Sequence, residues 1–178
     1  MGPDYYRHAT YVPADPTNCG GVLRSAQVRL FVVHVAQGNN QGGIDAWFRD
    51  PIAKVSAHFS ISRFGTVHQH VPLTVMAWAQ ANYNDVAVSI EHLGYSGRKL
   101  TRRQLKASVA LLRWLHAQYP QVPLRRTGSG EGHGVIGHGE LGVSGGDHPN
   151  CPGAPILDQI AHALAPPRKP AKTGTRGL

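Results

Sequence analysis

The sequence predicts one loop-rich α/β domain, and three observations carry that expectation. The chain has 178 residues, a length that suits one compact core, because two domains would each be thinly cored. It holds 21 Gly and 13 Pro, a density of turn formers that argues against a helix bundle. The run Leu30-Phe31-Val32-Val33-His34-Val35-Ala36 is apolar on both faces, as a central strand covered on both sides would be.

Residues 1–27 contain Pro3, Pro13, Pro16 and Gly20-Gly21 with little periodicity, and read as an irregular arm laid over the domain. After the first strand comes a polar, Gly-rich loop from Gln37 to Gly43. A short helix over Ile44–Arg49 should stop before Pro51. Ala57–Ser62 and Thr66–Val71 alternate with period two and form a hairpin across Arg63-Phe64-Gly65. Val86–Leu93 is a further strand, with Val86, Val88 and Ile90 on one face and Ala87, Ser89 and Glu91 on the other.

The clearest helix runs from about Arg102 to Tyr119. Thr101 and Gln104 make a capping box, Leu100 and Leu105 a hydrophobic staple, and Pro120 ends it. Its apolar stripe reads as Leu105, Val109, Leu112 and Leu115 or His116. A Gly-rich loop over 127–134, a short strand Val135–Gly137 and a helix Ile156–Leu164 close the domain. This divides the chain into an arm (1–27), a domain (28–165) and a basic, Pro-rich tail or linker (166–178).

Composition excludes several classes. Apolar residues are 41% and charged residues 16%, so this is not a charged disordered polymer. No apolar run approaches the roughly 20 residues that span a bilayer, and the N-terminus lacks the apolar stretch of a signal peptide. Cys19 and Cys151 could make one bridge at most, which leaves the redox compartment open. Cys151 suits a metal better, and Cys19 reads as a free thiol. The net charge of +8 implies anionic partners, and a bacterial envelope fits as well as nucleic acid. Scattered Lys and Arg, with no basic helix face, argue against nucleic acid.

Eleven histidines stand beside ten acidic residues. His8, His68, His70, His92, His116, His133 and His162 occupy ordinary settings and read as surface or internally satisfied. His34 differs, because an unpaired imidazole inside an apolar strand would cost a few kcal/mol. His138 ends a short apolar strand, where α/β sheets place ligands. Cys151 precedes Pro152-Gly153 and a helix, so its thiol pKa should be lowered. Two His and one Cys with a vacant position match a catalytic zinc site, though spacing alone does not establish one. Glu91 is a candidate for the carboxylate that takes the water's proton in zinc hydrolases.

Five segments occur in the order and spacing of one family: Phe31–His34, Val55–Val67 (with Ser56-Ala57-His58-Phe59), Asn84–Glu91, Val135–His138 and Asp147–Gly153 (with Cys151-Pro152-Gly153). Over roughly residues 28–164 the chain resembles the zinc-dependent type-2 N-acetylmuramoyl-L-alanine amidases, which include phage amidases and peptidoglycan recognition proteins. The resemblance implies a single domain with a central mixed β-sheet flanked by helices. It implies one catalytic Zn2+ on His34, His138 and Cys151, with Glu91 as general base. The reaction implied is hydrolysis of the amide between the lactyl group of N-acetylmuramic acid and L-Ala in bacterial peptidoglycan.

Departures from the family pattern sharpen these roles. Some members carry Tyr where this chain has Ala57, which pushes the base role onto Glu91. Many carry Lys or Thr as oxyanion donor where this chain has Pro149, and His148 is the natural substitute. The His138-Gly139-Glu140 run replaces a His-Arg-Asp without evident consequence. Trp78 matches the family's Ala-Trp segment and reads as a groove wall for sugar or peptide. Asn84 shapes the same loop, and His58 is a further substrate-side candidate or a structural residue.

Two readings follow: a catalytic amidase, or a non-catalytic peptidoglycan-binding module of the same fold. All three ligand positions are filled, which favours catalysis. The expected setting is a phage endolysin or other wall-lytic enzyme, made in the cytoplasm and acting on the wall, held there by its charge. Nothing in the sequence demands more than a monomer.

Overall fold

The computed structural model describes residues 4–166. Its eight strands are β1 (Ala9–Tyr11), β2 (Cys19–Val22), β3 (Leu30–Val35), β4 (Phe59–Ile61), β5 (Val67–Gln69), β6 (Val75–Ala77), β7 (Ala87–His92) and β8 (Gly134–Gly137). Three helices accompany them: α1 (Gln41–Arg49), α2 (Arg102–Gln118) and α3 (Ala154–Leu164). Six strands form one mixed sheet in the order β1-β5-β4-β7-β3-β8, and β2 and β6 pair separately. No helix among the described residues is long and apolar enough to cross a membrane. Of the tail expected over 166–178, only Pro166 lies within the described residues.

β3 sits where its sequence places it. Parallel neighbours β7 and β8 flank it, and all six of its residues are buried. Alternation splits the sheet cleanly. Phe31, Val33, Val88 and Ile90 join Leu111, Leu112 and Leu115 of α2 and Ile156, Leu157 and Ile160 of α3 in the main core. Each fully buried leucine there contributes about 2–3 kcal/mol. Leu30, Val32, Ala87 and Ile136 face the other way, with Leu141. That second face also carries His34 and Glu91, because side chains two apart in a strand share a face.

Three expectations change in detail. The arm over 1–27 is not irregular throughout: β1 adds to the sheet beside β5, and β2 pairs with β6. Backbone pairing recruits these segments although their side chains lack a strand pattern. α1 begins earlier than expected, at Gln41, because the Asn40 side chain caps it by accepting from Gly43 N at 3.1 Å.

In α2 the capping box forms as expected. Its buried stripe, however, is Gln104, Ser108, Leu111, Leu112 and Leu115, with Leu105 and Val109 at the edge. The two polar residues are buried because the sheet gives them partners. Gln104 Nε2 donates to Ile61 O and Leu93 O at 3.0 and 2.8 Å. Ser108 Oγ lies 3.0 Å from His92 Nε2.

Candidate active site

The site forms at the carboxyl ends of the parallel strands. Register puts His34 of β3 directly beside Glu91 of β7, and His138 follows the last residue of β8. The third donor comes from the loop before α3. That loop docks by a hydrogen bond from Gly139 N to Cys151 O at 2.6 Å. A Cβ at Gly139 would meet His148 O and Pro149 O at 2.7 Å, so only glycine lets the two loops approach this closely. The donor atoms of His34, His138 and Cys151 then all lie within 4.8 Å of one another.

Two imidazoles and a thiol are the donor types that suit zinc, and the surroundings fit a cation. His138 Nε2 donates to Gly145 O at 2.8 Å, which leaves Nδ1 as its free donor. Burial lowers the pKa of His138, and the charge of His148 adds to the effect. Burial and then the neighbouring His138 lower His34 further. Both rings are therefore neutral and able to ligate. His34 Nε2 and Glu91 Oε2 are buried without a hydrogen-bond partner.

Glu91 lies with Oε1 4.0 Å from His34 Nδ1, and burial raises its pKa to about 8. The expected lowering of the Cys151 pKa does not hold for the protein alone. Burial first, and then the charge of Glu91, push it up to about 12, opposed only by Val35 N–H, 3.4 Å from Sγ. The start of α3 does not govern this thiol; a bound cation would.

These residues open into a cleft of about 520 Å3. Trp78 lines it, as expected of a groove wall, and so does His148. His148 is exposed, and its ring centre lies 4.7 Å from that of His138. Asn84 acts on the loop: its Oδ1 accepts from Ala79 N and Gln80 N at 3.1 and 2.9 Å. His58 does not reach the cleft. It is fully buried between Ser89 and Val75 O, with Nε2 donating to the latter at 3.0 Å. Beside the start of β4, both its ring nitrogens are engaged within the protein, as the structural reading of His58 expects.

The sequence reading missed an apolar shelf on α1, where Ile44, Trp47 and Phe48 line the cleft. Trp47 is 52% exposed there. Their i, i+3, i+4 spacing within the expected helix was the available signal, because it sets these three on one face.

The sequence model of the N-acetylmuramoyl-L-alanine amidase family (Amidase_2) matches residues 24–154. The chain belongs to this family. Among curated proteins it is similar to N-acetylmuramoyl-L-alanine amidase A of Achromobacter lyticus, 33% identical over 90 residues. That match covers 50% of this chain and 49% of the relative, so the chain spans about half the length of the curated amidase it matches. Among solved structures, the fold resembles an AmpD derivative with TM-score 0.71 and 22% identity, covering 93% of this chain and 99% of that one. It also resembles the Drosophila peptidoglycan recognition protein SD, with TM-score 0.62 and 16% identity over 85% and 93% of the two chains. The amidase fold therefore extends across nearly all of this chain.

Proposed function

We propose that this member of the amidase family is a zinc-dependent hydrolase of the amide between the lactyl group of N-acetylmuramic acid and L-Ala in bacterial peptidoglycan. One observation carries the reading: two imidazoles and a thiol converge within 4.8 Å, with an unpartnered buried carboxylate beside them at the floor of a cleft.

His34, His138 and Cys151 would hold the metal. When bound, zinc supplies Lewis acidity and lowers the pKa of water toward roughly 7. Glu91 takes the proton from the water that attacks the lactyl carbonyl. Burial holds the Glu91 carboxyl near 8 in the metal-free protein, and a bound cation would lower that value and free the carboxylate to accept the proton and pass it to the departing nitrogen. The C–N bond breaks, leaving a lactyl carboxylate and a free L-Ala amine. His148, on the exposed rim, donates toward the carbonyl oxygen as negative charge develops there. Trp78 and the α1 shelf offer apolar surface to the sugar and stem. A recognition-only role would leave the buried Glu91 carboxylate without use.

The cell-wall-lytic setting, including that of a phage endolysin, rests on charge: +8 can hold the protein on an anionic wall. The decisive experiment digests purified peptidoglycan with and without chelator and identifies new chain ends by mass spectrometry. Free L-Ala amino ends that vanish with chelator and return with zinc are expected. An intact wall with which the protein still sediments would replace catalysis by recognition.

A further inference from the structure

We infer that the basic corner where the Arg63-Phe64-Gly65 turn meets the start of α2 is a docking surface for an anionic lipid bilayer. The inference goes beyond the hydrolytic reading and does not depend on it.

Lys and Arg look scattered along the chain, yet folding gathers six of them here. Arg63 comes from the turn, Arg98 and Lys99 from the segment before α2, and Arg102, Arg103 and Lys106 from the start of the helix. All six are exposed. The turn and the helix are in contact: Thr101 Oγ1 donates to Arg63 O at 2.6 Å, and a Cβ at Gly65 would come within 2.9 Å of Arg103 O. No Asp or Glu occurs from residue 94 to residue 130. Among the described Lys and Arg side chains, ion pairs to carboxylates involve Arg29 and Arg126 alone. The six cations therefore face water without an acid to neutralise them.

Helix stability alone would not place them there. The N-terminus of a helix carries partial positive charge and favours acids, but the first turn of α2 has two arginines and no acid. Charge arranged against the local rule is expected where function requires it.

Phe64 decides which partner fits. Its ring is 79% exposed, on the same turn as Arg63. An anionic polymer in water would satisfy the charges and leave that ring bare. At a bilayer surface the cations meet phosphate headgroups while the ring enters the acyl boundary. A nucleic-acid strand is instead held in a groove, whereas none of these residues lines the cleft. The corner is also well placed. β4 runs parallel to β7, with Ile61 opposite His92, so the turn leaves the sheet at the end that carries His34 and Glu91.

The test sediments the full chain with vesicles of phosphatidylcholine alone, or of equal parts phosphatidylcholine and phosphatidylglycerol. The parent should bind the mixed vesicles, less so at high salt, and ignore the neutral ones. Arg102→Gln with Arg103→Gln should lower partitioning about 25-fold, about fivefold per cation removed, with thermal stability unchanged or raised. Phe64→Ala should weaken binding severalfold at constant charge, and Phe64→Trp should restore it. Arg24→Gln with Arg125→Gln, which removes two exposed cations elsewhere, should have little effect. A parent that ignores the mixed vesicles would overturn the inference. An equal loss in the Arg24 and Arg125 pair would also overturn it, leaving net charge alone. Full binding by Phe64→Ala, or a preference for wall fragments or single-stranded DNA over vesicles, would replace the bilayer by a polyanion. A parent that hydrolyses no muropeptide would remove the proposed activity and leave the vesicle comparison intact.

Discussion

Acidification from pH 7 to pH 5 should destabilise the metal-free protein, because three buried histidines are built into the fold in neutral form. His58, His70 and His92 are each 2% exposed or less. Each donates from one ring nitrogen to a backbone carbonyl: Val75 O, Val12 O and His34 O, respectively. Each accepts at the other, from Ser89 N, Ser60 Oγ and Ser108 Oγ. A second proton would face the Ser89 N–H at His58 and would force the Ser60 and Ser108 hydroxyls to turn from donating to accepting at His70 and His92. Burial is the first cause that lowers all three pKa values from 6.5 to about 4.

With folded values below unfolded ones, this stability is complete above 6.5 and is lost as pH falls toward 4. From pH 7 to pH 5 the loss is about 2 kcal/mol per histidine, about 5–6 kcal/mol in all. Glu91 acts in the opposite sense. Its value is raised from 4.5 to about 8, so its contribution is present in acid and lost as pH rises through 8. It returns about 2–3 kcal/mol over the same interval. His34 and His138, both lowered, act in the same sense as the three. The net fall is then about 3 kcal/mol or more, a large part of a typical domain's 5–15 kcal/mol. Urea unfolding at pH 7 and pH 5, with chelator present, measures it. Stability that is flat or higher at pH 5 would refute the reasoning. A Glu91→Gln variant whose pH slope matches the parent's would refute the share given to Glu91.

Other predictions follow from single contacts. Glu91→Gln should bind zinc yet lose about 10²–10⁴-fold in amide hydrolysis, measured as release of L-Ala amino ends; retained turnover would take the proton-transfer role from Glu91. His148→Ala should cost about 10²–10³-fold in kcat with unfolding unchanged, since the side chain is exposed; an unaffected kcat would make His148 a plain loop residue. Gly139→Ala must push back the His148–Pro149 backbone, so zinc affinity should fall while the sheet persists by circular dichroism. Wall lysis should drop between low and physiological ionic strength, where screening shortens to about 8 Å; lysis unchanged by salt would remove the +8 charge as the targeting device.

Legibility in the sequence followed the strength of local patterning. β3 and the α2 cap could be read because burial on both faces and a capping box leave marks within a few residues. The triad His34, His138 and Cys151 was nominated by misplaced polarity and by family resemblance, and chain folding brings it together across more than 100 residues. What sequence could not give is what tertiary partners decide. β1 is a strand because β5 offers it an edge, not because of its side chains. Gln104 and Ser108 are core residues because the sheet supplies acceptors and donors. The Cys151 pKa was misjudged from helix proximity alone, since the thiol's burial and its nearness to Glu91 exist only in the fold.

The site is built on two kinds of support. His34 and Glu91 are locked to each other by the hydrogen-bond ladder between β3 and β7, so their separation is as invariant as strand spacing itself. His148 instead rides on a solvent-facing segment that includes Gly142 and Gly146 in left-handed backbone conformations. The chemistry and its tuning are thus modular. An engineer could vary the His148 side chain alone, altering the donor offered at the rim, while Gly145 O still holds His138 and the His34–Glu91 pair stays in place as a fixed chassis.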